Sequence, residues 1–344
     1  MAFVFFPGFV GTFFDFSLWS VVRILVFIFT TYVFFVLYPN FVRFEYFAAI
    51  IVIFATITTI IAISSVFLGD YQLIFININM PIGTGRISYL GFDIPQVRGI
   101  YISPNRFGFL AATGAFLSLY FINTNKPKIS IIPILSLFSF NLMGLFLSGS
   151  RSSYLGVAVA FGLFFAYYIL GKLGLRIATL GVILSATGVT LGVLGYLPGW
   201  EGLGPSSLTH RVGIWRAAIS ATLERPLTGW GFVGTSGPIA PYLPEYLSGG
   251  SSTHNSYLRI FVSGGLISGV AYILFISAIC YWGTNVSARR DLFALCTGTL
   301  LLTIHIFEIP TIFGPSMPST LTGICLGYIY FNNVDPIRIR NDFN

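Results

Sequence analysis

Charge is what this chain has least of. Asp, Glu, Lys and Arg make up 8% of its 344 residues, against roughly 25% in a soluble domain. A chain so poor in charge cannot clothe a water-facing surface, which excludes an ordinary soluble globular protein and leaves the lipid bilayer as its solvent. Cysteine is almost absent. Cys280, Cys296 and Cys325 stand singly in apolar stretches, without the spacing of a metal site or a disulfide framework, and read as small helix-packing residues. No Asp-x-Asp and no cluster of acids and histidines marks a divalent metal site, so neither a metal nor another cofactor is expected. Basic residues form no run, so no nucleic-acid partner is expected either. The N-terminus lacks the basic region and cleavage motif of a signal peptide. Residues Met1 to Phe14 read as an interfacial segment or the remnant of another helix.

What is abundant is apolar. Hydrophobic types reach 55%, with 36 Phe and 18 Tyr, and the mean hydropathy is +0.85. The expected fold is all-α: one polytopic transmembrane domain over residues 1–344, with about nine spans near the length that crosses hydrocarbon. These are Ser17–Tyr38, Phe44–Leu68, Phe107–Asn123, Ile129–Leu147, Tyr154–Leu170, Leu175–Tyr196, Tyr257–Trp282, Leu292–Ile309 and Phe313–Phe331. No internal repeat stands out.

The connections are of two kinds. Asn40–Arg43, Asn125–Lys128, Gly171–Gly174 and Gly283–Asp291 are short; Gly69–Arg106 and Leu197–Ser256 are long. The short ones and the tail hold Arg43, Lys126, Lys128, Lys172, Arg176, Arg289, Arg290, Arg338 and Arg340. By the positive-inside rule that side is cytoplasmic. The two long loops are then external, together with the Leu147–Ser153 and Pro310 turns. The expected location is the cytoplasmic membrane, multi-pass, with the working site on the external or periplasmic face.

The external side carries Arg86, Arg98, Arg106, Arg151, Arg211, Arg216, Arg225 and Arg259, whereas the chain's three lysines all lie on the inner side. Arginine presents a planar fork that matches phosphate bidentately. An arginine-only set placed against the topological bias points to a polyanionic ligand. The structural alternative is ion pairing with the external acids Asp70, Asp93, Glu201, Glu224 and Glu245.

Within the large loop, 210–223 reads as an amphipathic surface helix, with Val212, Trp215, Ile219 and Leu223 on one face. Thr209 is the expected N-cap, and Pro226 ends the helix. Arg211 and Trp215, four apart, share a face. The helix serves either as an interfacial anchor or as a lid over a site shared between lipid and water.

Four local patterns follow in order: Val97 to Gly108 (VRGIYISPNRFG); Ser148-Gly149-Ser150-Arg151-Ser152; Arg211-Val212-Gly213-Ile214-Trp215 with Pro226-Leu227-Thr228-Gly229-Trp230-Gly231; and His254-Asn255-Ser256-Tyr257-Leu258 with Ser263-Gly264-Gly265 and Gly269. Each is weak alone. Their order, spacing and shared external placement resemble the O-antigen ligase and O-antigen polymerase family of membrane glycosyltransferases, over roughly Arg98 to Tyr272.

The resemblance implies an enzyme of surface polysaccharide assembly. Such an enzyme takes a glycan from a polyprenyl pyrophosphate carrier and transfers it to a glycan, lipid or protein acceptor outside the cytoplasmic membrane. By motif, Arg98, Arg151 and Arg211 become the pyrophosphate ligands and His254 the base for the acceptor hydroxyl. Arg106, Trp215, Tyr257 and Glu308 are possible supporting residues. The chain looks a few N-terminal helices short of the ten to fourteen common in the family. Elementary chemistry agrees with this picture. Fixed cations stabilise the charge that builds on a departing pyrophosphate, histidine titrates in the range a base requires, and arginine would take the place of a metal.

Structural alternatives stand beside each residue. Arg151 could cap the carbonyls of the fourth span, Arg211 could stack on Trp215, and His254 could cap the seventh span, with Asn255 and Ser256 orienting its ring in the catalytic reading. His305 and Glu308, one turn apart, read as a packing pair. The rival function is a transporter or flippase of lipid-linked oligosaccharide. Transporters hold ionisable groups near the bilayer midplane, whereas these spans hold almost no acids. Ligase and polymerase share a mechanism and differ in acceptor, which the residues do not distinguish.

Overall fold

The computed structural model describes residues 2–14, 18–69, 71–73, 76–78, 86–89, 92–124, 130–193, 206–232, 234–247, 252–308, 310–311 and 313–334. Lys126, Lys128, Asp70, Glu201, Arg338 and Arg340 lie outside them.

The chain is an α-helical membrane bundle. Its helices are α1 (Ala2–Phe14), α2 (Leu18–Thr31), α3 (Tyr38–Phe41), α4 (Phe44–Leu68), α5 (Pro104–Thr124), α6 (Ile131–Ser148), α7 (Arg151–Val193), α8 (Ser206–Glu224), α9 (Ser236–Ile239), α10 (Ser256–Gly283), α11 (Arg289–His305) and α12 (Met317–Val334). A π-helical turn, Tyr32–Leu37, joins α2 to α3. The first long loop holds two short antiparallel hairpins, β1 (Tyr71–Leu73) with β2 (Ile76–Ile78) and β3 (Arg86–Tyr89) with β4 (Phe92–Pro95).

Among the described residues, six helices are long and apolar enough to cross a membrane: Val21–Phe41, Phe44–Leu68, Pro104–Thr124, Ile131–Ser148, Arg151–Gly188 and Ser256–Gly283. That is fewer than the nine expected, for physical reasons. A straight helix of the 43 residues in α7 would be roughly 65 Å long, about twice the hydrocarbon thickness. It is divided at Gly171 (φ 62, ψ −143). A Cβ on Gly174 would stand 2.2 Å from the Ala166 carbonyl oxygen, so the chain turns tightly there, as the short Gly171–Gly174 connection predicts. The expected eighth and ninth spans correspond to α11 and α12. Helix α11 is buried along its whole length from Asp291 to His305. Because protein surrounds it, it can carry His305, which a lipid-facing helix would hold at a high cost.

Small residues let the other helices approach. A Cβ on Gly114 of α5 would lie 2.5 Å from Ala55 Cβ of α4. Asn141 of α6 donates to Thr56 Oγ1 of α4 at 2.9 Å, a buried interhelical hydrogen bond of the kind that joins membrane helices.

The two ends of the bundle carry different residues. At one end Arg176 donates to Asn285 at 2.8 Å, Arg289 donates to the Asn123 carbonyl, and Asp291 accepts from Ser287 and Ala288 at the start of α11. At the other end lie Asn105, Arg106, Arg151, Arg211, His254 and Glu308.

Candidate functional site

The site is assembled from four chain segments, each shaped by a glycine or a cap. The turn between α6 and α7 comes first. Gly149 ends α6 in the left-handed conformation, φ 59 and ψ 19. The last carbonyls of α6 accept from several neighbouring donors. Leu145 accepts from Ser148 Oγ, Phe146 from Gly149 N and from the Tyr154 hydroxyl, Leu147 from Val97 N and Ser148 from Gln96 Nε2 at 2.8 Å. Arg151 begins α7 with its side chain exposed, at a helix N-terminus that favours anions.

The segment before α5 leans on this turn. Val97 is fully buried with Ala62, Phe107 and Leu147, and Gly99 (φ 58) lies so close to α4 that a Cβ would stand 2.8 Å from Ala62 Cβ. Arg98, half-buried, sits between them beside the end of α6. Gly108 admits the serine turn: its Cβ would fall 2.5 Å from Ser148 Oγ and 2.6 Å from Ser150 Cβ. This close approach accounts for the glycine that closes the first motif.

Helix α8 brings Arg211. It begins at Ser206, so Thr209 lies inside the helix and is not its N-cap. Its packed face is Ile214, Trp215, Ala217, Ala218 and Ala221, set against Ile239, Leu258 and Val262. Leu223, expected on that face, is 59% exposed. The small alanines admit α10, and α10 draws this face inward. Trp215 is buried in the cluster, its ring 6.3 Å from Phe307. Arg211 does not stack on Trp215; its guanidinium lies 5.5 Å from the Phe307 ring centroid.

The fourth segment carries His254, at φ 43 the one non-glycine residue with positive φ among the described residues. Left-handed histidines are uncommon, and such backbone strain gathers at functional sites. His254 does not cap α10. Asn255 does, its Oδ1 accepting from the amides of Tyr257 at 2.9 Å and Leu258 at 3.0 Å. Ser256 is likewise committed elsewhere, its Oγ 2.9 Å from His305 Nδ1 and donating to the Glu308 carbonyl at 3.1 Å. Neither neighbour orients the His254 ring. The His305–Glu308 side-chain pair is not formed. His305 bonds the Pro310 carbonyl and Thr322 Oγ1, each at 2.9 Å, and knots together α10, α11 and α12. Tyr257 donates to the Leu302 carbonyl at 3.1 Å and turns away from His254.

Helix α10 is broken at Gly265 (φ 71, ψ −170), and the Pro226–Gly231 turn fills the break. Trp230 N and Gly231 N donate to the carbonyls of Val262 and Ser263, each at 2.9 Å, while Leu266 N donates to the Pro226 carbonyl at 2.7 Å. Backbone left open by the break is thus satisfied inside the protein, as lipid requires. Helix α1 packs here too: Phe232 N donates to Thr12 Oγ1 at 3.2 Å.

Electrostatics joins the segments. Burial lowers the Arg211 pKa, opposed by Glu308 and reinforced by Arg151. Burial, then the Arg211 charge, pushes the His254 imidazole below its usual range, which favours the neutral base. Burial raises the Glu308 carboxyl, with Arg211, Asn105 and Arg106 opposing. Residues 151, 211, 254 and 308 thus share one field with 105 and 106, while Arg98 follows Val97, whose N–H bonds the end of α6. Asn105 and Phe307 were missed by the sequence reading; only the place of Asn105 beside Arg106 hinted at it. Among the described residues no group of three His, Cys, Asp or Glu stands together.

Residues 136–273 match the O-antigen ligase family. The resemblance read from the motifs is borne out over that segment, which contains Arg151, Arg211 and His254; Arg98, Arg106 and Glu308 lie outside it. No curated protein and no solved structure matches the chain. The O-antigen ligase segment supports a role in surface polysaccharide assembly and a glycosyltransferase type of activity at a membrane.

Proposed function

We propose that this protein moves a glycan from a polyprenyl pyrophosphate carrier to an acceptor hydroxyl on the external face of the cytoplasmic membrane. The observation that carries the reading is the convergence of Arg151, Arg211 and His254 from α7, α8 and the start of α10. They meet at the bundle end opposite Arg176 and Arg289. Arg151 and Arg211, with Arg98 beside the same turn, hold the pyrophosphate. The acceptor oxygen attacks the anomeric carbon, the bond from that carbon to the phosphate oxygen breaks, and pyrophosphate leaves with the electron pair. The acceptor proton passes to His254. Cations fixed around the leaving group strengthen their hold as its charge grows, which lowers the barrier. Transfer uses no metal, because the arginines supply the counter-charge. Reconstitution with a lipid-linked glycan tests the proposal: transfer should need Arg151, Arg211 and His254, and should fail without a pyrophosphate-linked donor. Transfer from a nucleotide sugar instead would overturn it.

A further inference from the structure

One acid is buried among the cations of the site. Glu308 is 8% exposed and follows the C-terminal end of α11, outside the O-antigen ligase segment. The ring of its neighbour Phe307 lies 5.5 Å from the Arg211 guanidinium, and Arg211, Asn105 and Arg106 each favour its carboxylate form. Its Oε1 is buried without a hydrogen-bond partner among the described residues. A buried polar atom left unbonded costs on the order of 1–3 kcal/mol, so packing alone gives this side chain no reason to be acidic. The structural tie at this position belongs to the backbone, whose carbonyl accepts from Ser256.

We propose that Glu308 is a positioning residue, the resting counter-charge of the arginine site, which offsets the charge of Arg211 and Arg106 at the place of the donor pyrophosphate and competes with it. The proposal rests on the donor reading above and deepens it. Arg151 and Arg211 repel one another, and a cluster of guanidiniums without an internal anion would splay apart or bind pyrophosphate too tightly to release it. A carboxylate with one free oxygen is a weaker partner than pyrophosphate. It yields to the donor and takes the arginines back when the lipid pyrophosphate product departs. Removing its charge should therefore tighten anion binding, slow product release and lower KM and kcat together. A purely structural glutamate would do none of these.

The test uses the full-length protein in lipid nanodiscs and inorganic pyrophosphate as the probe, at fixed ionic strength. Glu308→Gln should bind pyrophosphate about 5- to 50-fold more tightly than wild type, the scale of one unit charge on the order of 10 Å away at an effective dielectric of about 20. The gain should shrink in an Arg211→Ala background, because the two residues couple. A second measurement leaves Glu308 in place, in case its variant fails to accumulate. The groups facing Glu308 are Arg106 and Asn105 from α5 and Arg211 from α8, with Arg151 and His254 next to Arg211. Of these His254 also titrates on the acid side of neutrality, so His254→Ala removes its contribution. In that background the affinity for sulfate, a dianion across the range, should rise as pH falls through the elevated carboxyl range of Glu308. Sulfate binding that ignores pH, or pyrophosphate binding that Glu308→Gln leaves equal or weaker, overturns the proposal. Pyrophosphate binding that needs Arg211 but ignores Glu308 sinks this role alone. A wild-type protein that ignores pyrophosphate sinks the donor reading with it.

Discussion

Gly229 and Gly265 meet backbone to backbone: a Cβ on Gly229 would stand 2.5 Å from the Gly265 amide nitrogen. Both are left-handed, at φ 62 and 71. Through this contact the turn that follows α8, the helix bearing Arg211, is bonded to the break in α10, the helix that His254 precedes. Gly265→Ala places a Cβ 2.4 Å from the Pro226 carbonyl oxygen in a conformation that alone costs about 1–3 kcal/mol. It should lower thermal stability and reduce transfer, measured on purified protein in detergent. Gly162→Ala, where nothing lies within 4 Å, should be neutral or slightly stabilising, since alanine suits a helix interior better by about 1 kcal/mol. Equal effects at the two positions would show that the junction does not matter.

Asn255 and His254 are adjacent but divide the labour. Asn255→Ala removes the cap of α10, at about 1 kcal/mol, and should lower the melting temperature while transfer falls only slightly. Asn255→Ser or Asn255→Asp should restore stability, because both cap well. A collapse of transfer in Asn255→Ser at normal stability would assign Asn255 to the chemistry.

The arginines should not tolerate lysine. Where the contact with pyrophosphate is bidentate, Arg151→Lys and Arg211→Lys should lose nearly as much activity as the alanine variants, because lysine offers only a point charge. Phe307→Ala removes the ring beneath Arg211 and should weaken donor binding several-fold, within the ~0.5–2 kcal/mol of a cation–π contact. EDTA should leave transfer intact; its abolition by chelator and restoration by a divalent ion would show that a metal is required.

Orientation is open to direct measurement. Substituted cysteines at Tyr242 in the large loop should react with an impermeant thiol reagent from outside, and those at Lys172 and Arg290 should not. The native Cys280, Cys296 and Cys325 are buried, which keeps the background low. The opposite pattern would place the site on the cytoplasmic face and remove the donor chemistry proposed here.

Much of the bundle was legible because apolar runs of membrane length announce themselves, as did the arginine–histidine set, whose members recur in order with glycines beside them. The break at Gly265 was not. The run from Tyr257 to Trp282 stays apolar through it, and what stabilises the break is hydrogen bonding from residues 226 to 231, which no local window contains. The packed face of α8 was legible at Trp215 and Ile219 but not beyond, for a similar reason. Val212 and Leu223 look more apolar than Ala217, Ala218 and Ala221, but the alanines admit α10. Ser256 looked free to orient the His254 ring until its partners some fifty residues away were known. Glu308 could be named as a support, whereas Asn105, which favours its carboxylate form, lies some two hundred residues away and is brought near it only by the fold.

His254 offers the sharpest test of mechanism, because its environment predicts both a magnitude and a pH dependence. A general base contributes about 10²- to 10⁴-fold, so His254→Ala should lose transfer by that order while still inserting and still binding the donor. Burial and the Arg211 charge hold the imidazole below its ordinary range. The neutral ring is the active base, so kcat should be flat at neutral pH and fall tenfold per unit only once pH drops below this depressed value. Arg211→Ala removes one of the two causes and should move the acid limb upward, toward the ordinary histidine range near 6.5, in whatever activity remains. A limb that stays in place would disconnect Arg211 from the base. Near-normal transfer by His254→Ala would end the base assignment, and loss of donor binding would move His254 into the pyrophosphate pocket. His210→Ala, at the neighbouring histidine of α8, should be mild in every one of these measurements.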